Sequence, residues 1–477
     1  MKSSEQMGPS AAGTLAILLS CGIGYFLSME DGLSSEMLRK VSIALLAGIG
    51  IRYLLDWRSG LRNLIRVDVF ALLAFFFLTF FEFLFPQGHF DTLVIREDVT
   101  EATQLLIIRL AAMLIERHLS LFPKATLAKV GEVEMNPGDF LLIFFGATFF
   151  SFLPQLMAVD FNPLTWFEET LKTRFGRAWA RGKYGSLETL LYELQLLGYV
   201  MPPIAGLIFA RRKQYNTGIL LLVGLALLLL WYEAFASGTR NILAVKIAGF
   251  FAGFFVIQRE LKLIFIIPTV LCVGVSFVVL ADYMWSFRIM GVGRYVEGEF
   301  YKEDYQELND SYLGGGFEED ADEKGYMVDY NVWRFSQLVS AFPENYDFIG
   351  INMPYVALTK PIPRALWPGK PMGLKVGLEE AVGVEGMTIA VTWVGEAFIA
   401  GGWVWIVGIG LAIGAFCGWW NHLARYITTP FALIVFASGF YAVLLLMRSL
   451  MFFTTALLPS IALIVMGLVL YKQRQGP

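Results

Sequence analysis

Thr103 to Glu116 reads TQLLIIRLAAMLIE, an apolar run broken by one arginine, Arg109, and whether it spans sets the side of every later connection. A membrane-crossing helix needs about 20 mostly apolar residues. Near-spanning apolar runs also stand at 11–28, 38–55, 67–86, 138–158, 187–210, 216–235, 241–257, 262–285, 391–419, 429–447 and 451–471. With 103–116 counted they make about twelve, and parity then fixes the side of every connection. On that count Arg58, Arg62 and Arg66, then Arg117, Lys124 and Lys129, then Arg211 to Lys213, then Arg259 and Lys262, then Lys472 and Arg474 all fall on one side. Positive charge gathers on the cytoplasmic side of membrane proteins, so both termini are expected there. Without 103–116 the downstream clusters would invert. The connection 87–102, the segment 159–186, the turn Ser237 to Arg240 and the long stretch 286–390 go to the opposite, outer side.

Composition agrees with that class. Of 477 residues, 56% are hydrophobic and 16% charged, against about a quarter charged in soluble domains. Mean hydropathy is +0.59. A net charge of −4, with basic residues spread loop by loop, argues against nucleic-acid binding. Cys21, Cys272 and Cys417 lie inside apolar runs and form neither a disulfide framework nor a thiolate cluster. The run Leu15 to Phe26 lacks a small-residue cleavage site and reads as a retained span. The expected fold is an all-α polytopic membrane protein. A bundle of about nine helices over 1–285 precedes a large outer loop at 286–390, and about three helices follow over 391–477.

Phe167, Leu171, Phe175 and Trp179 recur at helical spacing, predicting an interfacial helix over 161–184. On such a helix Arg174, Arg177 and Arg181 share a sector of about 60°. An anchor to anionic lipid and a row that receives a phosphate fit this pattern equally. The stretch Glu297 to Asp329 holds twelve carboxylates against Lys302 and Lys324 and reads as a solvated loop. Asp320, Asp322 and Gly325 resemble part of a calcium loop, but Lys324 and Asn331 stand where oxygen ligands of suitable charge are needed, and no metal is expected. There is no histidine pair, Cys/His set or phosphate-cradling GxxxxGK[ST] string, which argues against zinc chemistry and nucleotide hydrolysis.

The string IPRALWPGKP at 362–371 carries three prolines in ten residues, which forbid a regular helix and hold Arg364 and Lys370 on a rigid path. Trp367 suits a membrane interface. Charged residues also stand in or at the outer ends of apolar runs: Glu82, Glu193, Glu233, Arg240, Glu396 and Arg448. Burying each costs at least ~2.5 kcal/mol, so each is expected to face the bundle interior or a wet cavity. Glu233 and Arg240 either neutralise one another across their turn or act directly. Glu396 lies in TWVGEAFIAGGW, whose Gly395, Gly401 and Gly402 allow close backbone approach where the long loop re-enters the apolar region.

With its dozen runs, single large outer loop, R-x-x-W-P-x-K-P string at 364–371 and GEAFIAGG re-entry at 395–402, the chain resembles the Wzy-type O-antigen or oligosaccharide repeat-unit polymerases. These are membrane glycosyltransferases of GT-C-like architecture in the bacterial inner membrane. The resemblance covers architecture broadly and some fifty residues specifically. It implies a donor and an acceptor that are both undecaprenyl-pyrophosphate-linked oligosaccharides, polymerised at the periplasmic face without cofactor or metal, with membrane lipids and a chain-length regulator protein as partners. For that chemistry Arg240, Arg364 and Arg448 are the residues to hold the departing diphosphate, since a guanidinium fork matches phosphate oxygens and stays charged. Arg174, Arg177, Arg181, Arg288 and Lys370 would guide the headgroup. Glu396 is the first candidate base for the acceptor hydroxyl and Glu233 the second.

Two alternatives stand beside it. An O-antigen ligase would use an outer-face histidine, and the only outer histidine in this topology is His89, far from the main loop. A transporter would keep its ionisable residues near mid-bilayer and show inverted repeats, and no repeat is evident.

Overall fold

A computed structural model describes residues 8–58, 60–87, 90–116, 118, 125–174, 176–179, 193–256, 268, 274, 280, 283–284, 287, 291–293, 331–362, 366–370, 391–423 and 429–475. The described residues form helices and connections, with no strand among them. In chain order the principal helices are α1 (Ala11–Leu27), α2 (Ser34–Arg58), α3 (Val67–Thr79), α4 (Arg96–Glu116), α5 (Pro137–Met157), α6 (Pro163–Leu171), α7 (Met201–Ala210), α8 (Thr217–Ala236) and α9 (Arg240–Val256). Then come α10 (Asn331–Ala341), α11 (Asn352–Thr359), α12 (Thr392–Leu423), α13 (Pro430–Arg448) and α14 (Leu450–Gln475). Helix starts follow local chemistry. Asn162 caps α6 ahead of Pro163, and Thr429 caps α13 ahead of Pro430, each pairing a side-chain acceptor with a residue that has no N–H to satisfy.

Among the described residues five helices, α5, α8, α12, α13 and the stretch Leu450–Val469 of α14, are long and apolar enough to cross a membrane. Large apolar side chains point outward along α5, α8 and α14, with Leu142 75% and Leu221 69% exposed, whereas α13 is mostly buried. Such a surface is consistent with a helical membrane protein, because water would penalise it and lipid would not. The run at 103–116 is the C-terminal two-thirds of α4. At 21 residues α4 measures about 31 Å, enough to traverse a bilayer core. It packs against α12 and α1 in the interior.

Side-chain links tie the helix ends into two poles. At one, the Ser10 amide bonds Asp56, Thr14 meets His118, and the Val67 amide bonds Asn421. Thr429 donates to the Gly131 carbonyl and Tyr215 to the Pro137 carbonyl at this same end. At the other, Ser35 meets Asp91, Ser340 meets Asp98, Asn331 donates to the Leu78 carbonyl, and Glu396 meets Ser449.

The first pole holds a fully buried cluster of ions. The Arg52 guanidinium lies 2.9 Å from Asp68 and 3.1 Å from Asp56, and Arg66 lies 2.7 Å from Asp68. Asn421 of α12 donates to Asp68 at 2.6 Å. Arg66, read from the sequence as a loop charge, is therefore neutralised in place. The cluster fastens α2, α3 and α12 together.

Two local expectations change. The interfacial helix predicted over 161–184 ends at Leu171, where Lys172 turns extended, and 180–192 lies outside the described residues. It ends there because Arg177 folds back: it donates to the carbonyls of Thr170 at 2.9 Å and Ala236 at 2.7 Å. Arg174 and Arg177 thus do not share a helical row. Glu82, read as lying in a span, is buried in the 3-10 turn Phe81–Leu84 after α3.

Candidate functional site

At the second pole, α12 is a helix in two pieces. Gly401 and Gly402 are non-helical, and Gly402 at φ 67° and ψ −152° occupies a region that only glycine enters cheaply. The break frees carbonyls at the end of the first piece. The amides of Ile349 and Gly350 take them up, bonding Ile399 at 2.9 Å and Ala400 at 2.8 Å. Broken backbone inside an apolar bundle is tolerated only where other protein groups satisfy it, as here.

The half-helix Thr392–Ala400 carries Glu396, which is buried. Ser449 donates its hydroxyl to one carboxylate oxygen at 2.5 Å, and the Met451 amide bonds the other at 3.1 Å. Ser449 and Met451 flank the first residue of α14, whose leading amides have no partner within their own helix. Glu396 therefore caps α14 from a distance, at the end where a helix dipole favours negative charge. Its partners hold the turn from α13 into α14 in one conformation.

Arg448 is the last residue of α13, next to that turn, and is partly exposed. It has no acidic partner within ion-pair distance among the described residues. Lys360, at the end of α11, places its ammonium 3.6 Å from the Phe452 ring centroid on the first turn of α14. Lys370 donates to the carbonyls of Lys360 and Ile362, both at 2.8 Å, so it closes its own loop onto the end of α11. Arg364 and Arg288 lie outside the described residues, as does Arg181.

A second group stands at the same pole where α8 passes to α9. Glu233 lies 3.2 Å from Lys246 and 3.9 Å from Arg177, and its side chain keeps 18% exposure. Lys246 is buried over the Tyr199 ring, which stacks on Tyr441 of α13 at 3.5 Å between centroids. Arg174 donates to Thr239 at 3.1 Å, in the turn before Arg240 opens α9. Tyr441 and Arg448 lie seven residues apart on α13, two turns along one face and about 10 Å by helical rise. The two groups thus flank the second-pole half of α13.

Beside them, Glu169 ties the bracket after α6. Burial would raise its carboxyl, but hydrogen bonds from the Lys172 ammonium and the Ala178 amide outweigh burial and hold it below the usual carboxylate range.

The structure thus brings Arg174, Arg177, Glu233, Arg240, Lys370, Glu396 and Arg448 to one pole. Among the described residues they form two groups: Glu396 bonds the α13–α14 turn, while Glu233 bonds Lys246. Arg177 and Lys370 are engaged with backbone carbonyls. Lys246 and Ser449 escaped the sequence reading. Lys246 carried a usable signal, a charge inside the apolar run 241–257, the same signal that marked Glu233. Ser449 carried none.

The model of a family described as Domain of unknown function (DUF8712) matches residues 172–474. No curated protein matches the chain, and no solved structure does.

Proposed function

We propose, from the premise that the chain belongs to the DUF8712 family, that it is a glycosyltransferase of the bacterial inner membrane. Its reaction polymerises oligosaccharides carried on undecaprenyl pyrophosphate. The matched region begins at Lys172 and takes in both groups at the second pole. In this reading the chain crosses the membrane about twelve times with both termini cytoplasmic, and the Glu396 pole faces the periplasm.

One observation carries the reading. Arg448 ends α13 without an acidic partner among the described residues, beside a turn that Glu396 fixes. A cation in that setting suits a ligand's anion, and a diphosphate offers the matching oxygens. The reaction needs a positive charge to stabilise the negative charge that builds on the diphosphate as its bond to the sugar breaks. The acceptor hydroxyl oxygen bonds the anomeric carbon, and the bond from that carbon to the diphosphate oxygen breaks. The lipid diphosphate departs held by Arg448, with Arg240 and Arg364 as further cations, while Arg174 and Arg288 guide the headgroup. The hydroxyl proton passes to a carboxylate. Glu233 suits that step better than Glu396, because its side chain is partly open while both oxygens of Glu396 are engaged.

The test is incubation of the purified protein with a polyprenyl-diphosphate oligosaccharide in EDTA. A ladder of products, lost in Arg448→Ala, is expected. Transfer only to a lipid A core would favour the ligase, and movement of the lipid without new glycosidic bonds would favour a transporter.

A further inference from the structure

Arg109 is the anomaly of the interior. It is fully buried at the middle of α4, and no carboxylate comes within ion-pair distance of it among the described residues. Its guanidinium lies 4.2 Å from the Phe75 ring centroid and 3.9 Å from the Trp393 ring centroid. One terminal nitrogen touches the Met447 sulfur at 3.2 Å and the Met113 sulfur at 3.8 Å. Its Nε and other terminal nitrogen have no hydrogen-bond partner among the described residues. Burying a charge this way is costly, and an apolar side chain of similar volume often replaces a buried ion without loss of stability. Packing alone gives no reason for an arginine here.

Its neighbours supply one. Phe75 is on α3, Trp393 opens the half-helix of α12, and Met447 precedes Arg448 on α13. Trp393 and Glu396 are three residues apart, neighbours on one helix face. A flat guanidinium attracts a ring on each face, and each such contact strengthens once water is excluded. Thioether sulfurs are weak acceptors that complete the cage. An aliphatic side chain would fill the space yet let the half-helix slide or turn.

We propose that Arg109 is a positioning residue: clamped between Phe75 and Trp393 and touching Met447, it sets where the half-helix bearing Glu396 meets the α13–α14 turn. The link to catalysis rests on the polymerase reading, but the positioning itself does not. The test compares the full-length wild type with Arg109→Met and Arg109→Lys in detergent by thermal unfolding, amide hydrogen exchange and the oligosaccharide ladder. Arg109→Met is expected to unfold near the wild-type temperature while the amides of 391–400 and 449–451 exchange at least tenfold faster and the ladder shortens. Arg109→Lys, which keeps the charge but not the plane, is expected to fall between. Wild-type exchange at 391–400 in both variants overturns the proposal. If Arg109→Met does not fold, Arg109→Lys decides it by the same readout. A wild type that forms no ladder counts against the polymerase reading alone, since the exchange result stands without it.

Discussion

Ser449 donates its hydroxyl to Glu396 across 53 positions of sequence, at 2.5 Å, and so joins the first piece of α12 to the turn between α13 and α14. A hydrogen bond to a charged group contributes about 1.5–3 kcal/mol, enough to hold the one-residue link, Ser449, between the two helices.

Ser449→Ala and Glu396→Gln should therefore act alike. Each is expected to lower thermal stability modestly and to reduce polymer length together, because each frees the turn that presents Arg448. If Glu396 acted only as the base, Glu396→Gln would abolish the ladder while Ser449→Ala left it long, and side-by-side product gels distinguish the two.

Gly402→Ala should cost about 1–3 kcal/mol, the strain of a side chain at its left-handed φ. The space is not the obstacle, since an added Cβ would sit 3.4 Å from Phe348. Gly401→Ala should be harmful for the opposite reason. Its backbone is extended, but a Cβ there would stand 2.2 Å from the Trp405 indole. Melting temperatures in detergent check both.

Asp68→Ala should be among the most damaging single changes, because it leaves two buried arginines, Arg52 at 3.1 Å and Arg66 at 3.9 Å, to share the single carboxylate of Asp56. Breaking a buried pair costs about 3–5 kcal/mol. The double change Asp68→Ala with Arg66→Met should recover part of the loss, leaving Arg52 with Asp56. Comparable losses in the single and double variants would count against this account of the cluster.

Glu169 predicts a pH dependence. Its carboxyl is held below its unfolded value, so its ionised form stabilises the bracket at pH above about 4.3, the unfolded carboxylate value. That stabilisation is lost as pH falls through the lower folded value. Protection of the Ala178 amide, corrected for intrinsic exchange, is expected to be flat from pH 6 to 8 and to fall below about pH 4. Glu169→Gln should remove the pH dependence. Persistence of the step in that variant would assign it to another group.

Lys246→Met should leave Glu233 with Arg177, at 3.9 Å, as its remaining cation among the ion pairs found. In the polymerase reading the ladder weakens while the fold persists, since the methionine stem still covers the Tyr199 ring. A wild-type ladder would remove Lys246 from the site.

The helical class of this protein is legible in its apolar runs alone. Runs such as 217–236 and 430–448 are too apolar for water, and a backbone without water must bond within itself, which leaves helices. The sequence also marked most of the charges at the second pole, because an ionisable residue in an apolar run stands out wherever it falls. In the sequence Gly401 and Gly402 signal only close backbone approach within one run, 391–419; that they split the helix in two came from the folded chain. So did the partner that each charge meets. Arg177 looks like part of a helical arginine row until the carbonyls of Thr170 and Ala236, the latter 59 positions away, draw it inward. Arg66 looks like a loop cation until Asp68 and Asp56 enclose it. Glu396 looks like a base until Ser449 and the first amides of α14 occupy its oxygens. Such pairings depend on distances of about 3 Å between segments far apart in sequence, and hydropathy has no term for them.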